Sequence, residues 1–286
     1  MKILIFGAGG MLGHDVRDVL VSVGHNVIPI LRTDADLCDS VAVTHIFSQH
    51  PDVTWAINCA AYTAVDRAES EGELADTING VAVANLASLC QKQGVHLIHF
   101  STDYVFNGLG KAPYLETDIC DPVNRYGASK RAGEVAFFES GVRGYVFRVQ
   151  WLFGRYGVNF LSRISELAKE RGALSIVGDQ WGSPTWTIEI ARAVLAVIAH
   201  EPAEGLYHFA SQGYTTWFDF ATYFLKLQNI PCTLSSISTE AYPTPAKRPL
   251  NSRLNCRKFL DLDIFTPLFW EESVKEYLKQ GETRCV

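Results

Sequence analysis

The chain holds 286 residues, 48% hydrophobic and 20% charged, with a net charge of −6. That composition describes a globular chain with room for one large α/β domain or one and a half, and its acidic balance argues against a nucleic-acid or membrane-surface partner. The apolar run after Met1-Lys2 is too short for a signal segment and no stretch approaches a membrane span, so a cytoplasmic location is expected. The seven cysteines (Cys38, Cys59, Cys90, Cys120, Cys232, Cys256 and Cys285) are scattered without a CxxC. They read as reduced thiols rather than a disulfide framework, and no metal is expected.

Lys2–Phe6 reads as a strand, and GAGGMLG follows it at 7–13. Gly7, Gly10 and Gly13 stand at the first strand-to-helix turn, where a tight turn, close approach of a pyrophosphate and close helix–sheet packing each ask for glycine. The N–H groups of Met11 and Leu12 then face the phosphates from a helix N-terminus. Met11–Val23 has an apolar helical face, and Asn26–Leu31 is the second strand. The end of that strand is where the adenosine ribose of a dinucleotide is read. Arg32 can pair with a 2′-phosphate, which favours NADPH, while Asp34, Asp36 and Asp39 keep an acid within reach of the 2′-hydroxyl of NADH. The plainer reading of Arg32 is a solvated surface arginine.

Ser40–Gln49 is helical, Trp55–Cys59 a strand, Leu74–Gln93 a long helix and Val95–Phe100 the fourth strand. This strand breaks into Ser101-Thr102-Asp103, either turn chemistry or a site at the carboxyl end of a sheet strand. Asn124–Glu139 is helical, started by Pro122, and carries YGASK at 126–130. Tyr126 and Lys130, four apart, share a helix face. A free tyrosine has a pKa of about 10, and a neighbouring ammonium lowers it, which makes the pair a proton donor and acceptor for a carbonyl. Such pairs are common on helix surfaces by chance; the position after a fourth strand, on a chain that begins with a glycine loop, gives this one weight. Thr102 then polarises the carbonyl, Tyr126 is the acid, and Lys130 tunes it and anchors a ribose.

Gly144–Val149 is the fifth strand. The βαβαβαβαβ rhythm implies an α/β fold, a Rossmann-type doubly wound parallel sheet over residues 1–150. Further helices are expected at Asn159–Arg171, Thr187–His200, Trp217–Gln228 and Glu271–Gln280. Residues 151–286 read as mainly a smaller C-terminal α/β substrate lobe, with segments near 180–200 returning to the first domain.

The stretches GAGGMLG, DLCD (36–39), INCAAYTAVDRAESE (57–71), STDYVFNG (101–108), RYGASKRAGE (125–134), RVQWLFG (148–154), DQWGSPTWT (179–187) and RPLNSRLNCRKF (248–259) span nearly the whole chain. Together they resemble the extended short-chain reductases typified by dTDP-4-dehydrorhamnose reductase. The resemblance implies Thr102, Tyr126 and Lys130 as catalytic residues with Asp103 beside them, and Gly7, Gly10, Met11 and Leu12 at the pyrophosphate. It implies Asp36 and Leu37 near the adenine, Ala60, Ala61 and Tyr62 along the dinucleotide, and Thr63, Val65 and Trp151 on the sugar-nucleotide side. Arg248 is implied near the substrate diphosphate. Trp151 offers an aromatic face to a sugar, with a core tryptophan as its plainer reading, and Arg248 reads more plainly as a structural arginine.

The implied activity is NAD(P)H-dependent reduction of the C4 keto group of a nucleotide-activated deoxysugar, dTDP-4-dehydro-6-deoxy-L-mannose to dTDP-L-rhamnose, by a monomer or homodimer. Gln150 departs from the small residue that commonly precedes the tryptophan in this family. Related dehydratases carry a glutamate where Tyr104 stands, so dehydration is disfavoured. Epimerases and a non-catalytic regulatory subunit of methionine adenosyltransferase type are the alternatives.

Overall fold

In β1 (Lys2–Phe6) successive side chains leave the strand on opposite faces, and both sets are apolar. Ile3 and Ile5 join one core with Val16 and Leu20 of α1 (Met11–Ser22), while Leu4 and Phe6 join another with Val43 and Phe47 of α2 (Ser40–Gln49). A strand that is apolar on both faces must be covered twice, which is why helices lie on both sides of the sheet. Each fully buried side chain of this kind contributes about 1.5–3 kcal/mol. The computed structural model describes residues 1–282, so Cys285 lies outside the described residues.

The sheet has six strands, all parallel: β1, β2 (Asn26–Ile30), β3 (Trp55–Asn58), β4 (His96–Thr102), β5 (Gly144–Val149) and β6 (Gly205–His208). Their order is β6-β5-β4-β3-β1-β2. The connections carry α3 (Gly72–Asp76), α4 (Ala82–Gln93) and α5 (Arg125–Glu139), and then α6 (Phe160–Arg171) and α7 (Thr187–His200). Ile190, Val194 and Val197 of α7 complete the core that α1 covers, so chain from beyond residue 150 supplies both a helix and the last strand of this layer. A separate core joins α6, α8 (Trp217–Leu227) and the helix Trp270–Glu282 around Phe153 and Trp186, beside a parallel pair of strands, Ala173–Val177 and Thr233–Ile237.

Four local features differ from the sequence-based expectations. β6 is four residues long after Pro202, too short for a period to show. β4 runs on through Thr102, because its backbone stays paired with β5 as far as Thr102 and Val149. Pro122 does not start α5; Asn124 caps it, with its side chain accepting the Gly127 N–H at 2.7 Å. The long helix is interrupted by a π turn at Thr77–Val81. That turn buries Asn79, whose amide bonds the N–H and C=O of Tyr62 at 2.9 and 3.0 Å and the Ser129 hydroxyl at 2.9 Å. One side chain thus ties the loop after β3 to α5. No helix among the described residues is long and apolar enough to cross a membrane.

Candidate active site

Strand order reverses around β1: β2 lies on one side, and β3, β4 and β5 follow on the other. Loops leaving the carboxyl ends of neighbouring strands diverge at such a point and open a crevice. Two cavities occupy it. One, of about 250 Å³, is lined by Gly7, Arg32, Asp36, Leu37 and Ala60 among others. The second, of about 560 Å³, is lined by Met11, Leu12, Thr63, Val65, Thr102, Asp103, Tyr126, Lys130 and Trp151 among others. Gly10, Cys59 and Ala61 line both, so the two are halves of one cleft across the strand ends.

The smaller half is built by the glycine turn. Gly7 has φ +73°, and a Cβ on it would stand 2.5 Å from the Ala60 nitrogen. A Cβ on Gly13 would strike the Gly7 carbonyl, so α1 starts tight against the turn. Gly10 caps α1 without a side-chain hydrogen bond, and no acid sits in the first turn. A helix N-terminus left open in this way, at the junction of two cavities, suits an anionic pyrophosphate. Backbone cradle, narrow β1–β3 approach and a cleft continuing to both sides fit a dinucleotide. At the outer lip Arg32, 81% exposed, pairs with Asp36 at 3.5 Å.

In the larger half Thr102 ends β4. Its Oγ1 accepts the Tyr104 N–H at 3.2 Å and donates to Asp103 Oδ1 at 3.0 Å. Asp103 is buried, and burial pushes its carboxyl up to about 7 against the hydrogen bonds it receives. α5 reaches this turn through Gly127, where a Cβ would strike the Tyr104 carbonyl. Tyr126 is thereby brought to Thr102, and burial pushes its phenol up to about 12, opposed by a hydrogen bond with Thr102. Lys130, 2% exposed, donates from Nζ to the Phe100 carbonyl at 2.6 Å, and burial pulls it down to about 8. The ammonium expected to lower the tyrosine is instead held on the strand backbone, and the phenol is raised by its burial and by the nearby Asp103.

Trp151 follows the strand end in the left-handed region, at φ +48°. A bulky side chain there is strained by about 1–3 kcal/mol and persists only where its surroundings hold it. Its indole stacks on Trp217 at 3.7 Å between centroids and also lies against Gly182, where a Cβ would come within 2.5 Å of the ring. Trp217, which also lines the cavity, opens α8 and looks in sequence like any aromatic of an amphipathic helix. Cys59, Ser101 and Tyr104 likewise join the cleft only through the fold.

Four of the residues read from sequence stand outside the cleft lining: Asp34, which accepts the Leu31 N–H, Asp39, which caps α2, and Tyr62 and Arg248. Tyr62 packs with Ala68 and Ala75, its hydroxyl donates to Glu71 at 2.7 Å, and Asn79 holds its backbone. Arg248 binds both Asp66 oxygens at 2.9 Å, with Nη1 also on the Thr244 hydroxyl and the Ala246 carbonyl. Its guanidinium ties the C-terminal segment to the loop after β3. Among the described residues no group of three or more His, Cys, Asp or Glu is placed to hold a metal ion.

Residues 1–283 match the family model described as the RmlD substrate binding domain. A dTDP-4-dehydrorhamnose reductase of Burkholderia thailandensis is 42% identical, over 89% of this chain and 90% of its own. A dTDP-4-keto-6-deoxy-D-glucose reductase of Streptomyces niveus is 36% identical, over 89% and 86%. The structure of a Bacillus anthracis dTDP-4-dehydrorhamnose reductase in complex with NADP superposes with a TM-score of 0.94 at 32% identity, covering 98% of this chain and 99% of that one.

Proposed function

The chain belongs to the dTDP-4-dehydrorhamnose reductase family, and from that premise we propose that it is an NAD(P)H-dependent reductase of the C4 ketone of a nucleotide-activated deoxysugar, converting dTDP-4-dehydro-6-deoxy-L-mannose to dTDP-L-rhamnose. The observation that carries this is the meeting of Thr102, Tyr126 and Lys130 in one cavity that continues into the glycine-turn cleft. NADPH is the proposed reductant, with NADH also accepted, since Arg32 and Asp36 offer partners to a 2′-phosphate and a 2′-hydroxyl. Gly7, Gly10, Met11 and Leu12 hold the pyrophosphate; Asp36 and Leu37 stand at the adenosine end, with Ala60 and Ala61 along the way. In this division residues 1–150, with α7 and β6, carry the dinucleotide, and the rest of 151–286 carries the sugar nucleotide with Thr63 and Val65.

When bound, the reduced nicotinamide supplies a hydride. Tyr126 supplies the proton: its raised pKa keeps it loaded at neutral pH, and a forming alkoxide is basic enough to take it. The Thr102 hydroxyl turns from Asp103 to the same oxygen and holds it in line. Lys130, on the same helix face, stabilises the phenolate that remains until the proton is replaced from water. Trp151, held between Trp217 and Gly182, lines the sugar side of the cavity with the apolar atoms of its indole edge.

The test is oxidation of NADPH by the purified protein with dTDP-4-dehydro-6-deoxy-L-mannose and, in parallel, dTDP-4-keto-6-deoxy-D-glucose. Turnover of the first with dTDP-L-rhamnose as product is expected. Tyr126→Phe is expected to lower kcat by about 100-fold or more while NADPH affinity stays within about twofold. No turnover of either sugar, as for a binding-only relative of this fold, or a Tyr126→Phe enzyme with the wild-type rate, sinks the proposal.

A further inference from the structure

Gln150 directly follows β5, lines the larger cavity and is 2% exposed. Neither its Oε1 nor its Nε2 meets a hydrogen-bonding partner among the described residues. The other buried amides behave differently. Asn58 bonds His99 and the Ala60 N–H, Asn79 bonds Tyr62 and Ser129, Asn124 bonds Gly127, Gln180 bonds Thr239, and Asn251 bonds the Gly110 and Ala112 carbonyls. The one buried amide left bare at both ends belongs to a residue that lines the cavity.

An unbonded buried amide destabilises a fold, and leucine or methionine would fill the same space without that penalty. A glutamine there makes sense if its partner arrives with a ligand. Its amide offers both an acceptor and donors, the complement of a hydroxyl, which does both. Position narrows the ligand. Thr102 pairs in register with Val149, so Gln150 stands one residue further out along the strand, between that pair and the indole of Trp151. It lines the larger half alone, two strands along the sheet from Cys59 and Ala61, which also line the adenosine half.

We propose that Gln150 is a specificity-determining residue that hydrogen-bonds a ring hydroxyl of the sugar nucleotide next to the reacting ketone. This rests on the reductase function above and deepens it. It makes one unusual demand: removing the amide should strengthen the fold and weaken substrate recognition together, which a structural glutamine would not do.

The experiment compares the wild type with Gln150→Leu and Gln150→Met in thermal melts and in steady-state kinetics, varying NADPH and dTDP-4-dehydro-6-deoxy-L-mannose separately. Wild-type turnover is measured first; its absence tells against the reductase function, whereas wild-type turnover that both variants retain unchanged tells against Gln150 alone. The expected result is a Tm raised by roughly 2–4 °C, a KM for the sugar nucleotide raised about tenfold, and an unchanged KM for NADPH. Substrate analogues lacking one ring hydroxyl should lose that same factor with the wild type and lose nothing further with Gln150→Leu. A KM change confined to NADPH would assign the amide to the dinucleotide and overturn the proposal. So would a lowered Tm with both KM values unchanged, or failure of both variants to fold, since either makes the amide part of the framework.

Discussion

Asp103 is a carboxylate that the fold buries at the end of β4, between Thr102 and Tyr104. Its folded pKa, about 7, lies above the ordinary 3.8. The folded protein therefore keeps a proton that the unfolded chain releases between those two values, and stability falls as pH rises through that window. Asp103→Asn keeps the shape without the charge. The variant is expected to match the wild type near pH ~4 and to exceed it at pH ~8 by on the order of 4 kcal/mol. Melting both proteins across that range checks this; a difference that does not grow with pH would remove burial as the cause. A carboxyl this costly, hydrogen-bonded to the threonine that lines the cavity, is the kind of group that sites rather than frameworks retain. From sequence Asp103 stood only beside Thr102; its burial comes from elements far along the chain.

At the scale of elements, α5 is set by glycines. Gly127 lies against the Tyr104 carbonyl and Gly133 against the Asn79 carbonyl, so the helix meets two other segments backbone to backbone. Alanine is the better helix former by about 1 kcal/mol, and on propensity alone Gly127→Ala would stabilise α5. Its Cβ would instead push the helix off the strand-end turn and carry Tyr126 with it. The expected outcome is a lowered Tm and a turnover reduced by about 10²-fold, the scale of a 1 Å misplacement. A raised Tm with the wild-type rate would show that the contact yields freely. The existence and type of these elements were legible in the chain, because α/β strands covered on both faces read as unbroken apolar runs. The π turn at Thr77–Val81 and the short β6 were not, since a single added residue in a helical turn and a four-residue strand leave no periodic trace.

For the whole molecule, the Arg248–Asp66 pair joins the C-terminal segment to the loop after β3. Side-chain exposures of 22% and 40% leave it partly screened, and a bidentate pair of this sort is worth about 1 kcal/mol. Arg248→Leu is therefore expected to lower stability by about that amount and to leave KM for the sugar nucleotide within about twofold. Calorimetry and kinetics on the same variant separate this from a substrate-binding arginine, whose loss would raise KM about tenfold with Tm unmoved.

The order of strands and helices, the glycine turn and the spacing of Tyr126 and Lys130 are local properties, carried by side-chain period and by residue types that only certain backbones accept. These the chain determined by itself. Which residues face the cleft is a non-local outcome. The sequence cannot say that Asn79 holds Tyr62 outside the cleft lining, that Asp66 captures Arg248, or that Trp217 comes to lie on Trp151 from 66 residues away. Nor can it say that Lys130 is held on the Phe100 carbonyl while burial governs Tyr126, or that Gln150 is left without a partner. Each depends on packing between elements far apart in the chain, where desolvation and the supply of hydrogen-bond partners are settled only once the layers close.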